Sequence, residues 1–188
     1  MTTEISTLLA AAAERTLPVV RGIRDDQLGG PTPCAEFQVR DLLNHLHQVV
    51  VNFQVLAARE QPDFSTTPDV LTGDWRARFA EETDRLVEAW SDPAALEGVS
   101  PGMGMPQALV GNLALVDLTV HGWDLAQATG QAYEPVPAAV TALLPFAEQM
   151  APQARRMGVF GDEAPPPSGA GDFARLLGVT GRRAPATV

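Results

Sequence analysis

Apolar residues recur along this chain at intervals of three and four, the period of a helix with one buried face. Over residues 3–21, Ile5, Leu8, Leu9, Ala12 and Leu17 form one stripe with Thr3 near its start, which predicts a first helix. The stretch "GIRDDQLGGPTPC" breaks that pattern with Gly and Pro and predicts a loop. From about residue 36 to 60 the positions Leu42, Leu43, Leu46, Val49, Val50, Phe53 and Leu56 predict a second, long amphipathic helix. "QPDFSTTPDVLTGD" reads as loop, and residues 74–90 read as a third helix with Trp75, Phe79, Leu86 and Trp90 inward. A Gly- and Pro-rich connection with room for a short hairpin leads to a fourth helix at 106–130, with Pro at its first turn and Gly at its end. A shorter fifth helix covers 137–150, and the tail is irregular apart from one helical turn at 173–177. There is no internal repeat and no strand-like alternation. The expected fold is all-α: an antiparallel four-helix bundle with an appended fifth helix and an irregular C-terminal tail, in one domain over residues 1–188.

The fourth helix departs from the amphipathic rule. "VDLTVHGWDLA", residues 116–126, is apolar on nearly every side yet carries two aspartates and a histidine. Separated by four and three, Asp117, His121 and Asp124 fall on one narrow stripe. A carboxylate buried without a partner costs several kcal/mol. Something must satisfy the stripe: an Arg from a neighbouring helix, mutual hydrogen bonds beside a watered cavity, or a cation. The i, i+4 spacing of Asp117 and His121 is one by which a single helix offers two ligands to one metal.

A third ligand has to come from elsewhere. His45 and His47 lie on the second helix and point about 200° apart on an ideal helix. His45 borders the apolar stripe, with Asn52 along the same face; His47 falls on the far edge near Gln54. The inner set is then His45, Asp117 and His121. The competing explanation is a hydrogen-bonded Asp–His core pair with a rim histidine beside it.

Composition narrows the function classes. Apolar residues make up 45% and charged residues 19% of the 188, which favours a folded globule. The net charge is -10 and all 13 basic residues are Arg, so nucleic acid is not an expected partner; the absence of Lys also fits a GC-rich coding bias. No apolar run reaches the roughly 20 residues that cross a bilayer, and Glu4 stands where a signal peptide carries basic charge, so the expectation is a cytoplasmic protein with no membrane partner. The single cysteine, Cys34, excludes an intrachain disulfide. A small core cysteine is the expected role for it, with a catalytic thiol the minor alternative.

"TPCAEFQVRDLLNHL" at 32–46 and "DLTVHGWDLAQATG" at 117–130, with "VFGDEAPPPSGAGDFARLLGVTGR" in the tail, resemble the actinobacterial DinB-like superfamily of metal-binding proteins, which includes the mycothiol-dependent maleylpyruvate isomerases and related thiol transferases. The resemblance spans most of the chain in order and spacing. It implies a four-helix bundle holding a divalent metal, with the ligand positions falling here on His45, Asp117 and His121. Those isomerases have Glu where this chain has Asp117, and they carry a second, C-terminal domain for which 188 residues leave no room, so their particular reaction is not carried over.

The implied cofactor is a divalent metal, with zinc first and nickel, iron or manganese as alternatives, and mycothiol is the implied co-substrate. A two-His, one-carboxylate set does not itself select strongly among these ions. Asp124 is expected to hold a ligand imidazole or Asn44, the alternative being a cap or an Arg pair. Trp123 points away from the ligands, and one of Arg76, Arg78 and Arg85 is a candidate for binding an anionic substrate. The expected partners are a small-molecule substrate and a low-molecular-weight thiol, on a monomer or homodimer. Two further readings remain: a metal hydrolase, lyase or cyclase that needs no thiol, and a non-catalytic bundle braced by metal.

Overall fold

The computed structural model describes residues 2–184, and those residues are helical with no strand longer than a single bridge pair. The six α-helices are α1 (Glu4–Gly22), α2 (Val39–Ala57), α3 (Trp75–Ala89), α4 (Gln107–Thr129), α5 (Pro137–Arg156) and α6 (Asp172–Val179). Internal contacts divide the chain into two compact units, Met1–Glu134 and Pro135–Val188.

Local chemistry explains where the helices begin and end. Thr3 caps α1 by accepting from the Ser6 N–H, and Asp74 caps α3 by accepting from the Ala77 N–H. Helix α2 is shorter than its apolar periodicity suggests, because the Asp41 carboxylate reaches back to the Gln38 N–H and fixes the start there. Helix α4 ends at Gly130, whose φ of 69° is the left-handed conformation glycine accepts most readily. The hairpin anticipated before α4 is reduced to one bridge, Val99 with Pro106, after a 3-10 turn at Pro93–Leu96.

In the first unit, α1–α4 form a four-helix bundle in which α4 packs on α1 and α2, and α3 packs on the same two helices. Cross-contacts give the directions. Gln107 at the start of α4 donates to the Leu56 carbonyl at the end of α2, while His121 near the end of α4 meets His45 near the start of α2; these helices are antiparallel. Thr3 donates to the Trp90 carbonyl and Arg76 to the Ile23 carbonyl, so α1 and α3 are antiparallel as well. By contrast, Ile5 approaches Gly111 and Thr16 approaches Gly122, so α1 and α4 run parallel. The order is up-down-down-up, and the parallel pair α2 and α3 needs the long crossover of residues 58–74.

That crossover is tied down by a ladder of buried amides on α2. Asn44, Gln48 and Asn52, four residues apart, meet its backbone in turn. Asn44 Oδ1 accepts from Val70 N at 3.0 Å; Gln48 donates to the Thr66 carbonyl at 2.9 Å; Asn52 donates to the Asp63 carbonyl at 2.7 Å and accepts from its N–H at 3.1 Å. The core around them holds Trp90, whose indole N–H donates to the Phe53 carbonyl.

In the second unit, α5 runs past Pro152 to Arg156, six residues beyond the predicted end, with Ala147, Ala151 and Ala154 continuing its buried face. The tail is more ordered than expected. Helix α6 makes two turns, buries Leu176 and Leu177, and packs on α5.

Candidate metal centre

The centre is built where α2 and α4 cross near the start of one and the end of the other. His121 is only 7% exposed and Asp124 is fully buried. Their contact is a hydrogen bond of 3.0 Å between His121 Nδ1 and Asp124 Oδ2. Of the two roles expected for Asp124, it therefore takes the first, holding the imidazole; Asn44 is engaged with the crossover instead.

An Nδ1–H donated to that carboxylate fixes the tautomer and leaves the Nε2 lone pair facing out of the core. Asp117 Oδ1 lies 3.5 Å from Nε2. Two acceptors facing each other repel unless a proton or a cation lies between them. The spacing is long for a hydrogen bond. It matches the roughly 3.4 Å edge expected between two ligands of a tetrahedral ion with bonds of about 2.1 Å.

The third donor comes from α2. The rings of His45 and His121 lie edge to face with centroids 5.2 Å apart, and one ligand atom each from His45, Asp117 and His121 lie within 4.8 Å of one another. The three residues singled out from the sequence thus converge. Donor chemistry and spacing both fit a divalent cation. The set opens on one side, since the Asp117 side chain is 27% exposed and His45 is partly buried.

The loop before α2 closes the other side. Phe37 stacks on His45 with centroids 5.3 Å apart, limiting the rotation of that imidazole. The same loop carries Cys34, and here the expectation of a core cysteine needs correction. Cys34 is not a sequestered core residue: it is partly exposed, and its sulfur, a His121 nitrogen and an Asp124 oxygen lie within 4.8 Å of one another. Thr32 is the local signal, because its hydroxyl bonds the Cys34 and Phe37 carbonyls and turns the loop back toward the helices.

The remaining candidates take other roles. Trp123 is buried, as expected for a core contact. Arg76 pairs with Asp25 and the Ile23 carbonyl, Arg78 donates to the Val70 and Thr72 carbonyls, and Arg85 pairs with Glu82. These bonds hold loops and a helix surface. His47 lies beside Phe79, where burial holds its pKa below the ordinary histidine range and its Nε2 has no hydrogen-bond partner among the described residues.

Residues 9–126 match the family described as the mycothiol maleylpyruvate isomerase N-terminal domain. The chain belongs to this family. The match lies within the first compact unit and takes in the whole donor set. Two Mycobacterium tuberculosis proteins, described as the uncharacterized proteins MT0763 (strain CDC 1551) and Rv0738 (strain H37Rv), are each 33% identical over 168 residues, covering 79% of this chain and 81% of theirs. No solved structure matches significantly. Family membership places the chain among mycothiol-related, enzyme-like bundles. No helix among the described residues is long and apolar enough to cross a membrane.

Proposed function

We propose that the chain is a divalent-metal-dependent enzyme that binds a low-molecular-weight thiol, mycothiol, for transfer to, or isomerisation of, a small electrophilic substrate. His45, Asp117 and His121 are the metal ligands in this reading, with zinc the first candidate and nickel, iron or manganese the alternatives. The observation that carries it is the pairing of His121 Nδ1 with Asp124 at 3.0 Å while Nε2 faces Asp117 at 3.5 Å with His45 close by, an arrangement of donors that a divalent cation would fit. A divalent ion held there supplies Lewis acidity and favours the thiolate form of a thiol that reaches it.

The chain's own residues prepare the place for that chemistry. Asp124, sealed from solvent, keeps the His121 imidazole in one tautomer and one orientation. Asp117 contributes a negative charge at the solvent-facing edge, which lowers the net charge of the filled centre and leaves that edge reachable by a small molecule. Phe37 covers the face of His45 and excludes water from that side. The partial opening beside Asp117 supports catalysis over a metal that only braces helices, because a closed structural site surrounds its ion with protein ligands.

The test is metal analysis of the purified protein followed by calorimetric titration of the metal-loaded protein with mycothiol and with glutathione. The expected result is about one metal per chain, lost in His121→Ala, and saturable binding of mycothiol that disappears with the metal. Metal without affinity for either thiol would remove the thiol from the reading and favour hydrolytic, lyase or cyclase chemistry. A wild-type protein that retains no divalent ion at any loading would sink it.

A further inference from the structure

We infer that the centre contains a second metal seat, formed by Cys34, His121 and Asp124, that shares His121 with the first and takes thiophilic cations. Its three ligand atoms satisfy the same spacing as the first set, within 4.8 Å of one another. The two sets do not merge into one four-donor group at that span among the described residues, so Cys34 is not already the fourth ligand of the His45 seat. The two seats face different nitrogens of one imidazole, Asp124 lying at Nδ1 and Asp117 at Nε2.

The sequence builds the second seat with the loop that also secures His45. Residues 31–38 are pinched at their ends by the Pro31 and Gln38 bridge, and Val39 N–H donates to the Gly30 carbonyl at 2.9 Å. Within the loop, the Thr32 hydroxyl lies 2.9 Å from the Cys34 carbonyl and 2.8 Å from that of Phe37, while the Phe37 N–H donates to the Cys34 carbonyl at 2.8 Å. The backbone at Cys34 and the backbone at Phe37 are therefore fixed relative to each other. Phe37 stacks on His45, and the same rigid turn holds the Cys34 sulfur beside His121 and Asp124.

The donor sets differ in kind. His45, Asp117 and His121 offer two nitrogens and an oxygen on a side open to solvent. Cys34, His121 and Asp124 offer sulfur, nitrogen and oxygen, and two of the three residues are more than nine-tenths buried. Sulfur selects soft ions, and an enclosed seat favours an ion that gives up its water. Binding there releases the thiol proton as the metal–sulfur bond forms. His121 meets Asp124 through Nδ1, so an ion in the second seat takes that nitrogen as its proton moves to Nε2; a neutral imidazole has one lone pair to give, and the first seat loses its ligand while the second is filled. The second seat exists whether or not the first is catalytic.

Cadmium is the probe, because a cadmium–thiolate bond has an ultraviolet charge-transfer band and the chain has a single cysteine from which it can arise. Titrating the full-length protein with cadmium should produce that band at one equivalent per chain. Cys34→Ser should lose it, while His45→Ala and Asp117→Asn should keep it, with circular dichroism checking that each variant folds. A wild-type protein saturated with cadmium but lacking the band overturns the proposal. So does a band lost in both His45→Ala and Asp117→Asn, since Cys34 would then be a ligand of the first seat. Zinc binding to Cys34→Ser reads the first seat alone: its failure sinks the functional reading while leaving the cadmium result standing.

Discussion

Helix α4 presents two faces that obey different rules. Toward its parallel neighbour α1 it carries glycines: a Cβ at Gly111 would stand 2.7 Å from Ile5, and one at Gly122 would stand 2.5 Å from the Thr16 hydroxyl. The backbones approach so closely that the Thr16 hydroxyl donates directly to the Leu118 carbonyl at 2.9 Å. Toward its antiparallel neighbour α2 the same helix offers Asp117, His121 and Asp124, and His45 stands across from them. One face gains stability by leaving no room. The other gathers polar side chains with the chemistry and spacing of metal ligands. Close packing and candidate chemistry are thus assigned to different faces of one helix, and each face can be broken separately.

The largest effect is expected on the dry face. Gly111→Val would drive a branched side chain into Ile5 and the Trp90 ring, which lies 3.2 Å from where even a single Cβ would stand. Overpacking of this kind should lower the unfolding free energy by about 3 kcal/mol. Urea denaturation checks the loss, and metal stoichiometry of the folded fraction should be unchanged. A variant that keeps full stability would show that α1 yields, and that the close approach is not a constraint.

On the wet face, Asp124→Asn keeps the shape but replaces the acceptor that fixes the His121 tautomer. Removing such a partner typically weakens metal binding 10- to 100-fold. Competition with a chelator of known affinity measures the change, and helical content should stay at the wild-type level. Equal affinity in the variant would mean that Asp124 does not orient the ligand.

The two faces also differ in how far the sequence discloses them. The spacing of Asp117, His121 and Asp124 can be read directly, because a helix repeats every three to four residues and all three belong to one element. His45 is reachable by projecting α2 and by the family resemblance, since the face that carries it also carries the apolar stripe. The place of Cys34 escapes sequence reasoning because it depends on a loop folding back, which no helical period encodes. The ladder of Asn44, Gln48 and Asn52 escapes it for a related reason: four-residue spacing marks a face, but only the crossover lying against it shows why that face is amide rather than apolar. Helix ends are legible where a cap or a glycine marks them, as at Thr3, Asp74 and Gly130, and less so at Pro152, where packing of the surrounding alanines outweighs a missing N–H.

The ladder supplies a smaller test. Asn52→Ala would leave the Asp63 N–H without its partner on α2 and its carbonyl with only the longer bond from Gln48 at 3.3 Å. Because the crossover lies near solvent, water can replace part of what is lost, and the expected cost is about 1 kcal/mol. Limited proteolysis should cut within residues 58–74 faster than in the wild type, while metal binding is retained. Unchanged proteolysis would show that Gln48 and Asn44 hold the segment without it.

The smallest effect at neutral pH, and the one that best separates the two faces, belongs to Tyr133. This is the chain's single tyrosine, and its ring lies against the Gly122 position on the α1 side of α4. Burial pushes its pKa up to about 12, against the opposing pull of a hydrogen bond with Thr16 and the charge of Arg15. The unfolded chain ionises at about 10. Between those values the folded state binds more protons than the unfolded state, so stability is fully present below about pH 10 and falls as pH rises toward about 12. The ultraviolet absorbance of tyrosinate should therefore appear near pH 12 in the folded protein. Tyr133→Phe should flatten the alkaline loss of stability while changing stability at neutral pH by no more than about 1 kcal/mol. Because the ring belongs to the dry face, filling the metal centre should leave this titration where it is. A tyrosinate transition near the ordinary tyrosine value of about 10 in folded protein would mean that water reaches the α1 side of α4. A transition that moves on metal loading would mean that the two faces are not independent.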